Sequence, residues 1–125
     1  MVVIRELMLR INQETRIDSA AIRLNLKFLS VVEDSRCPVG VNCIWEGNAR
    51  VRLQINLSTT NNNSEIFELS TNLEPQSIQI EDYEIKILDL IPSPKVDLKI
   101  EPENYTATFT IRSYAVEQIF DKNKE

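Results

Sequence analysis

Two cysteines, Cys37 and Cys43, are the residues of this chain whose type and spacing bear most directly on chemistry. The five residues between them are too many for a Cys-x-x-Cys redox motif, and two thiols supply only half of the ligands of a structural zinc site. Pro38 and Gly40 allow the chain between them to turn back, so the two Cβ atoms can reach disulfide distance. The spacing therefore favours a Cys37–Cys43 disulfide, with two free buried thiols, or a redox or metal role, as the alternatives.

Carboxylates are the other groups that could catalyse a reaction, because the chain contains no histidine. The usual base of Ser-His and Cys-His nucleophile pairs and the commonest ligand of catalytic zinc are therefore missing. Gly40 and Gly47 are the only glycines, too few for a phosphate-binding loop. Glu33, Asp34 and Glu46 could still form a hydrolase or sugar-active site from carboxylates alone. Our expectation is nevertheless no catalytic residue, no cofactor and no metal.

The cysteines lie within the motif EDSRCPVGVNCIWEGNA at positions 33–49. This motif resembles the signature E-D-S-R-C-P-x-G-V-x-C-x-W-x-G-x-A of a group of small bacterial exported, lipoprotein-like proteins of unknown function. The resemblance is specific over these positions, and elsewhere it extends only to the strand pattern. It implies export from the cytoplasm, and it implies no particular activity.

Five residues of this motif form a candidate binding patch. Loops that are placed by a rigid scaffold often bind partners, and Trp and Arg are favoured anchors of protein interfaces. An Arg-Trp-acid cluster at the end of a sandwich could therefore serve as a recognition surface. The residues of this patch are Glu33, Asp34, Arg36, Trp45 and Glu46.

The same motif can also be interpreted as a structural corner of the fold. Asp34 and Ser35 can cap nearby backbone amides, and Arg36 can pair with Glu33, Asp34 or Glu46. In this interpretation, the ring of Trp45 packs over the disulfide or the end of the core while its N–H finds a partner. The glycine at position 47 then allows a close approach where the next strand begins.

Alternating apolar and polar residues predict β-strands on both sides of the motif. The pattern is clearest at residues 22–31, 49–57 and 105–111. Within the first of these, a slip in phase predicts a β-bulge near Phe28 and Leu29. About seven strands without a helical period predict an all-β antiparallel sandwich, immunoglobulin-like or another Greek key, with a barrel as the alternative. Weaker strand patterns cover residues 3–11, 65–69, 78–80 and 83–88.

Turn-forming residues separate the predicted strands. Glu81 and Asp82 predict a tight hairpin, and the Asn-rich residues 59–64 predict a longer one. The Pro-rich residues 91–95 predict a segment that crosses between sheets or runs along an edge, because proline cannot donate a backbone hydrogen bond. After the last strand, we expect a short helical turn within residues 114–120.

Length and charge fit one globular domain. The chain has 125 residues, and we expect a single all-β domain over residues 1–120 and a frayed charged tail over 121–125. The net charge of −5 repels phosphate backbones and anionic lipids, which argues against nucleic-acid binding. No apolar run approaches the roughly 18 to 20 residues of a transmembrane helix. Arg5 and Glu6 interrupt the apolar N-terminus, so no export signal is predicted within the chain.

These observations favour a non-enzymatic accessory or binding domain of the bacterial cell envelope, periplasmic or secreted. Its partner would be an unknown protein or envelope ligand, and we expect a monomer or a weak dimer. Two alternatives stay open: a carboxylate-based hydrolase or sugar-active enzyme, and an intracellular β-domain with reduced thiols. The first predicts two carboxyl groups about 5 to 10 Å apart across an open cleft. The second predicts free cysteines.

Overall fold

Eight β-strands in two antiparallel sheets make up most of the part of the chain that the computed structural model describes, residues 2–18, 23–57 and 64–114. Each sheet has four strands. The predicted all-β antiparallel sandwich is confirmed. The strands are β1 (Val2–Arg10), β2 (Glu14–Asp18), β3 (Arg23–Asp34), β4 (Ala49–Leu57), β5 (Ser64–Ser70), β6 (Ser77–Ile80), β7 (Tyr83–Ile91) and β8 (Thr106–Tyr114), and a short 3-10 helix, η1 (Pro102–Asn104), precedes β8.

Within each sheet, most neighbouring strands are consecutive in the chain. Strands β2 to β5 follow one another across one sheet, β6 to β8 follow one another across the other, and β1 pairs with β8. The described strands form two separate sheets and do not close into a barrel, which was the alternative that the pattern allowed. Alternation identifies a strand but not its partner. The sequence did not predict β2, which has one buried apolar residue, Ile17, and one such residue is too few for a recognisable period.

Side chains from alternate strand positions fill the space between the two sheets. In β4 every second residue from Ala49 to Leu57 is buried, as the alternation predicted. Phe28 of β3 meets Phe109 of β8 edge to face, with ring centroids 6.2 Å apart, and so joins the two sheets. The core is therefore formed by the inward faces of β3, β4, β7 and β8.

Two β-bulges change the direction of the side chains at the end of β3. The first lies between Phe28 and Ser30 and confirms the predicted bulge; the second, between Val31 and Glu33, was not predicted. Each extra residue moves the side chains that follow to the opposite face of the sheet. After both bulges, Asp34 faces the other sheet and Glu33 faces outward.

Most of the predicted turns are present. The tight hairpin at Glu81 and Asp82 joins β6 to β7, and β4 pairs with β5 as expected for a hairpin. The Pro-rich segment, however, joins β7 to β8, which are neighbours in one sheet, so it does not cross between sheets. The expected helical turn at 114–120, the tail at 121–125 and nearly all of the loop at 59–64 lie outside the described residues.

Within the described residues, no helix has the length and apolar character needed to span a membrane.

Candidate functional site

The loop between β3 and β4 continues the pairing of these two strands beyond the sheet. The backbone N–H of Ser35 donates to the carbonyl of Asn48 at 2.7 Å, and that of Cys37 donates to the carbonyl of Glu46 at 3.3 Å. The predicted disulfide between Cys37 and Cys43 is present, with the two Cα atoms 6.0 Å apart. The segment 37–46, which we call the disulfide loop, is thus a hairpin extension whose outer part is closed covalently.

Gly47 stands where the two sides of this extension come closest. Its φ angle is +80°, and a Cβ atom at this position would lie 2.9 Å from the Cα of Arg36 and would also meet the carbonyl oxygen of Ser35. Any side chain would therefore collide with backbone atoms as well as adopt an unfavourable conformation. The predicted close approach at this glycine is confirmed.

Arg36 forms a two-pronged ion pair with Asp34. Its Nε lies 2.7 Å from one carboxylate oxygen and its Nη2 lies 2.7 Å from the other. The hydroxyl of Tyr105 donates to the same carboxylate at 2.9 Å. Only 16% of the Arg36 side chain and 12% of the Asp34 side chain are exposed. We refer to Asp34, Arg36 and Tyr105 as the Arg36 cluster.

The guanidinium of Arg36 is also hydrogen-bonded to the end of β7 in the other sheet. It donates hydrogen bonds to the backbone carbonyl of Leu90 in β7 and, at 2.9 Å, to that of Pro92 just beyond. The planar fork of arginine matches this set of acceptors in a way that lysine cannot. The Arg36 cluster therefore joins the two sheets at the end where β3 and β7 stop.

The charged state of the cluster is stabilised by its own hydrogen bonds. Burial alone would raise the pKa of Asp34, but hydrogen bonds from Arg36 and Tyr105 outweigh it and hold that pKa below its ordinary value. Burial and the neighbouring Asp34 carboxylate raise the pKa of Tyr105 to about 12. Asp34 thus stays ionised, and Tyr105 keeps its proton.

Asn48 is a positioning residue that the sequence analysis missed. It is 5% exposed, and its side-chain oxygen accepts hydrogen bonds from the backbone N–H groups of Asn72 and Leu73 at 2.9 and 3.1 Å. The side chain of Asn72 in turn donates to the carbonyl of Gly47 at 3.1 Å. The loop between β5 and β6 is therefore hydrogen-bonded to Gly47 and Asn48, which directly follow the disulfide loop. The sequence feature that could have indicated this role is the position of Asn48, directly between Gly47 and the first residue of β4.

The disulfide loop is also hydrogen-bonded to the segment between β7 and β8. The N–H of Val39 donates to the carbonyl of Pro94 at 2.9 Å, and Val39 forms a parallel bridge with Lys95. Three loops, at residues 35–48, 71–76 and 92–105, are consequently linked at one end of the sandwich.

These three linked loops expose an unusual amount of apolar side chain. Ile44 is 94% exposed and Trp45 is 69% exposed. We call this set of residues the loop-end surface. Its members are Val39, Val41, Ile44 and Trp45 in the disulfide loop, Leu73 in the β5–β6 loop, and Val96 and Leu98 in the β7–β8 segment.

The exposure of Trp45 corrects one part of the corner interpretation. The indole does not pack over the end of the core, because 69% of Trp45 is exposed. Two other parts agree with the structure. Arg36 pairs with Asp34, and the hydroxyl of Ser35 accepts a hydrogen bond from the N–H of Asn48 at 3.2 Å.

The five residues of the predicted patch lie in three places. Asp34 and Arg36 belong to the Arg36 cluster and are largely buried. Glu33 faces outward on its sheet and pairs with Arg50 at 3.1 Å. Trp45 and Glu46 are neighbours on the exposed disulfide loop. The predicted patch therefore does not form one surface. Asp34 and Arg36 are largely buried and join the two sheets, whereas Glu33, Trp45 and Glu46 are exposed.

An open cleft of about 590 Å³ lies at the turn between β1 and β2. Its lining contains a single carboxylate side chain, that of Glu103, together with Arg10 and uncharged residues. Across the described part of the chain, no three Cys, Asp or Glu side chains gather where they could hold a metal ion. The cleft thus offers neither the paired carboxylates of a glycosidase nor a metal centre.

Comparisons of the chain with protein-family models, with curated proteins and with solved structures give no match.

Proposed function

We propose that this protein is a non-enzymatic binding domain of the bacterial cell envelope and that the loop-end surface contacts its partner. The observation that carries the proposal is the exposure of Ile44 and Trp45, at 94% and 69%, on loops that also expose five further large apolar side chains. Exposed large apolar side chains grouped on linked loops are typical of an interaction site. Trp is also among the residues that most often dominate binding energy.

The rigidity of the three loops supports this proposal. The disulfide closes the outer part of the disulfide loop, Asn48 fixes the β5–β6 loop, and Arg36 fixes the start of the β7–β8 segment. Loops that are ordered before binding lose less conformational entropy when the partner arrives. The same contacts therefore give more net affinity than they would on mobile loops.

The location in the envelope has two supports. Disulfides persist in oxidising compartments, so the Cys37–Cys43 bond is compatible with an extracellular location. The resemblance of residues 33–49 to small bacterial exported proteins points in the same direction. Neither of the two alternative functions gains such support, because the cysteines are bonded to each other and the carboxylate of Asp34 is engaged with Arg36.

A photo-crosslinking experiment in the native host tests the proposal. A benzophenone amino acid replaces Ile44 in one variant and Ile66 in the control, an exposed isoleucine on β5 outside the loop-end surface. We expect irradiation of living cells to give a discrete adduct from position 44 and none from position 66. Adducts that are absent from both positions, or equally strong at both, would refute the proposed contact surface.

A further inference from the structure

The charges beside the loop-end surface indicate what kind of molecule it binds. We infer that the partner is a protein with an apolar pocket that is bordered by lysine and arginine side chains. This inference rests on the proposed function, because it assigns the chemistry of the partner to the same surface.

Each of the three loops places an exposed acid next to an exposed apolar residue. Glu46 follows Trp45 in the disulfide loop, and Glu74 follows Leu73 in the β5–β6 loop. In the β7–β8 segment, Asp97 lies between Val96 and Leu98. The same pairing thus occurs on three segments that are far apart in the sequence.

These three acids have no cationic partner within the part of the chain that the structure describes. Among the described residues, the carboxylates of Glu46, Glu74 and Asp97 take part in no ion pair, whereas Glu33 and Glu68 on the sheet are paired with arginines. An unpaired surface carboxylate is free to meet a basic side chain on another molecule. Complementary charge around an apolar contact steers association and excludes wrong partners.

Fewer basic than acidic side chains lie on or beside these three loops. Lys95 and Lys99 lie on the β7–β8 segment, which also carries Glu101 and Glu103 beyond Asp97, and Arg10 of β1 donates a hydrogen bond to the carbonyl of Glu103. The loop end is therefore acidic on balance, as the whole chain is with its net charge of −5. Two copies that met loop end to loop end would bring like charges together, and an anionic membrane would repel the same surface. A basic protein surface avoids both penalties.

Peptide selection with the purified, disulfide-bonded protein tests the inference. A phage library of random peptides is depleted on the double variant Ile44→Ser, Trp45→Ser and then selected on the unchanged protein. We expect the selected peptides to carry an aromatic or aliphatic residue flanked by Lys or Arg. Selected peptides that are acidic or uncharged would overturn the assignment of a basic partner, while the proposed contact surface would stand.

Charge reversal and salt provide the quantitative readout with one selected peptide as the probe. The triple variant Glu46→Lys, Glu74→Lys, Asp97→Lys should bind this peptide about tenfold more weakly, and so should the unchanged protein when salt rises from about 50 to about 500 mM. The matched control Ile66→Ser should keep its affinity, because Ile66 lies on β5 away from these loops. Equal affinity of the triple variant and the unchanged protein would contradict the inference.

Vesicles and self-association distinguish the remaining possibilities. Phosphatidylcholine vesicles, with and without phosphatidylglycerol, are sedimented with the unchanged protein and the double variant, and sedimentation equilibrium measures dimers of each. Vesicle binding or dimerisation that depends on Ile44 and Trp45 would overturn the basic-protein partner but retain the surface. If the double variant matches the unchanged protein with peptides, vesicles and dimers alike, the proposed function itself fails.

Discussion

Arg36 donates hydrogen bonds to the carboxylate of Asp34 at the end of β3 and to the backbone carbonyls of Leu90 and Pro92 at the end of β7. No neutral side chain of similar length could replace both the charge and the planar set of donors. A largely buried carboxylate that loses its cation is left with an uncompensated charge. The position of the loop end thus depends strongly on this arginine.

Replacement of Arg36 by alanine should therefore destabilise the protein more than an ordinary surface change. We expect the free energy of unfolding to fall by about 3 kcal/mol, near the lower end for a broken buried pair, because both side chains keep some contact with water. Urea denaturation followed by circular dichroism measures it. Arg36→Lys, which keeps the charge, should lose less, and a loss below about 1 kcal/mol for Arg36→Ala would show that the cluster is dispensable.

Tyr105 makes the free energy of unfolding depend on pH in the alkaline range. Its pKa of about 12 lies above the value of about 10 in an unfolded chain, so the folded state holds the proton more tightly. The stability that this provides is fully present below about pH 10 and is lost as pH rises through 12. Between these values, the unchanged protein should lose about 1 to 2 kcal/mol more than Tyr105→Phe, since water screens part of the interaction. Identical losses in both proteins would contradict the assignment.

The sequence predicted some partners within this cluster and not others. Asp34 was one of three carboxylates expected to pair with Arg36, because it lies two positions away, and that pairing is confirmed. Tyr105 lies 71 positions from Asp34, and only the folded arrangement of the sheets brings them together. Its place at the start of a predicted strand pointed to the core rather than to a hydrogen bond. Long-range polar contacts of this kind leave no periodic signal in a sequence.

The disulfide loop is attached to the rest of the molecule by a few backbone hydrogen bonds, and none of its residues belongs to the buried core. Reduction should therefore loosen the loop before it weakens the sheets. We expect the amides of Val39 and Val41, which donate to Pro94 and Pro38, to exchange faster after reduction, while strand amides such as that of Leu53 stay protected. Hydrogen exchange measured by NMR resolves these amides. Loss of protection in the strands would mean that the disulfide holds the fold.

The cost of an open disulfide can be measured separately with Cys37→Ser. Closing a loop of about 7 residues stabilises by roughly 2.4 kcal/mol on the chain-entropy model. The melting temperature should fall by roughly 5 to 10 °C for a domain of this size. An unchanged melting temperature under non-reducing conditions would contradict the stabilising role.

The two glycines of the loop form a matched pair for a test of the close approach. Both have positive φ angles, +84° at Gly40 and +80° at Gly47, but a Cβ at Gly40 would meet nothing within 4 Å. Gly40→Ala should cost about 1 to 2 kcal/mol for its conformation alone. Gly47→Ala should cost about 1 to 3 kcal/mol more, because the methyl group meets the backbone of Ser35 and Arg36. Equal costs in thermal denaturation would rule out the steric effect.

The two β-bulges of β3 show how far the alternation of apolar and polar residues can predict the direction of side chains in a strand. The first bulge was visible because Phe28 and Leu29 are both apolar and break a clear period. The second falls next to Val31 and Val32, where two adjacent valines are equally compatible with either face. The inward direction of Asp34 therefore could not be predicted. Yet it is this direction that places its carboxylate against Arg36 and Tyr105.

At the level of the whole molecule, strand content followed from the sequence but strand order did not. Alternation fixes which face of a strand is buried, and it carries no information about which strand lies next to it. The linkage of three loops at one end depends on that order, since β3, β5 and β7 all end there. The exposed loops were accordingly predicted only in part: the disulfide loop was expected from its motif, whereas the contributions of Leu73, Val96 and Leu98 were not.

Trp45 is the only tryptophan of the chain, so its fluorescence reports the loop-end surface without any substitution. In the free protein, acrylamide should quench it almost as efficiently as a free indole, because 69% of the residue is exposed. Once the partner identified by crosslinking at position 44 is bound, we expect the quenching constant to fall several-fold as the ring becomes buried in the interface. An unchanged quenching constant at saturating partner would place the contact elsewhere and contradict the central claim.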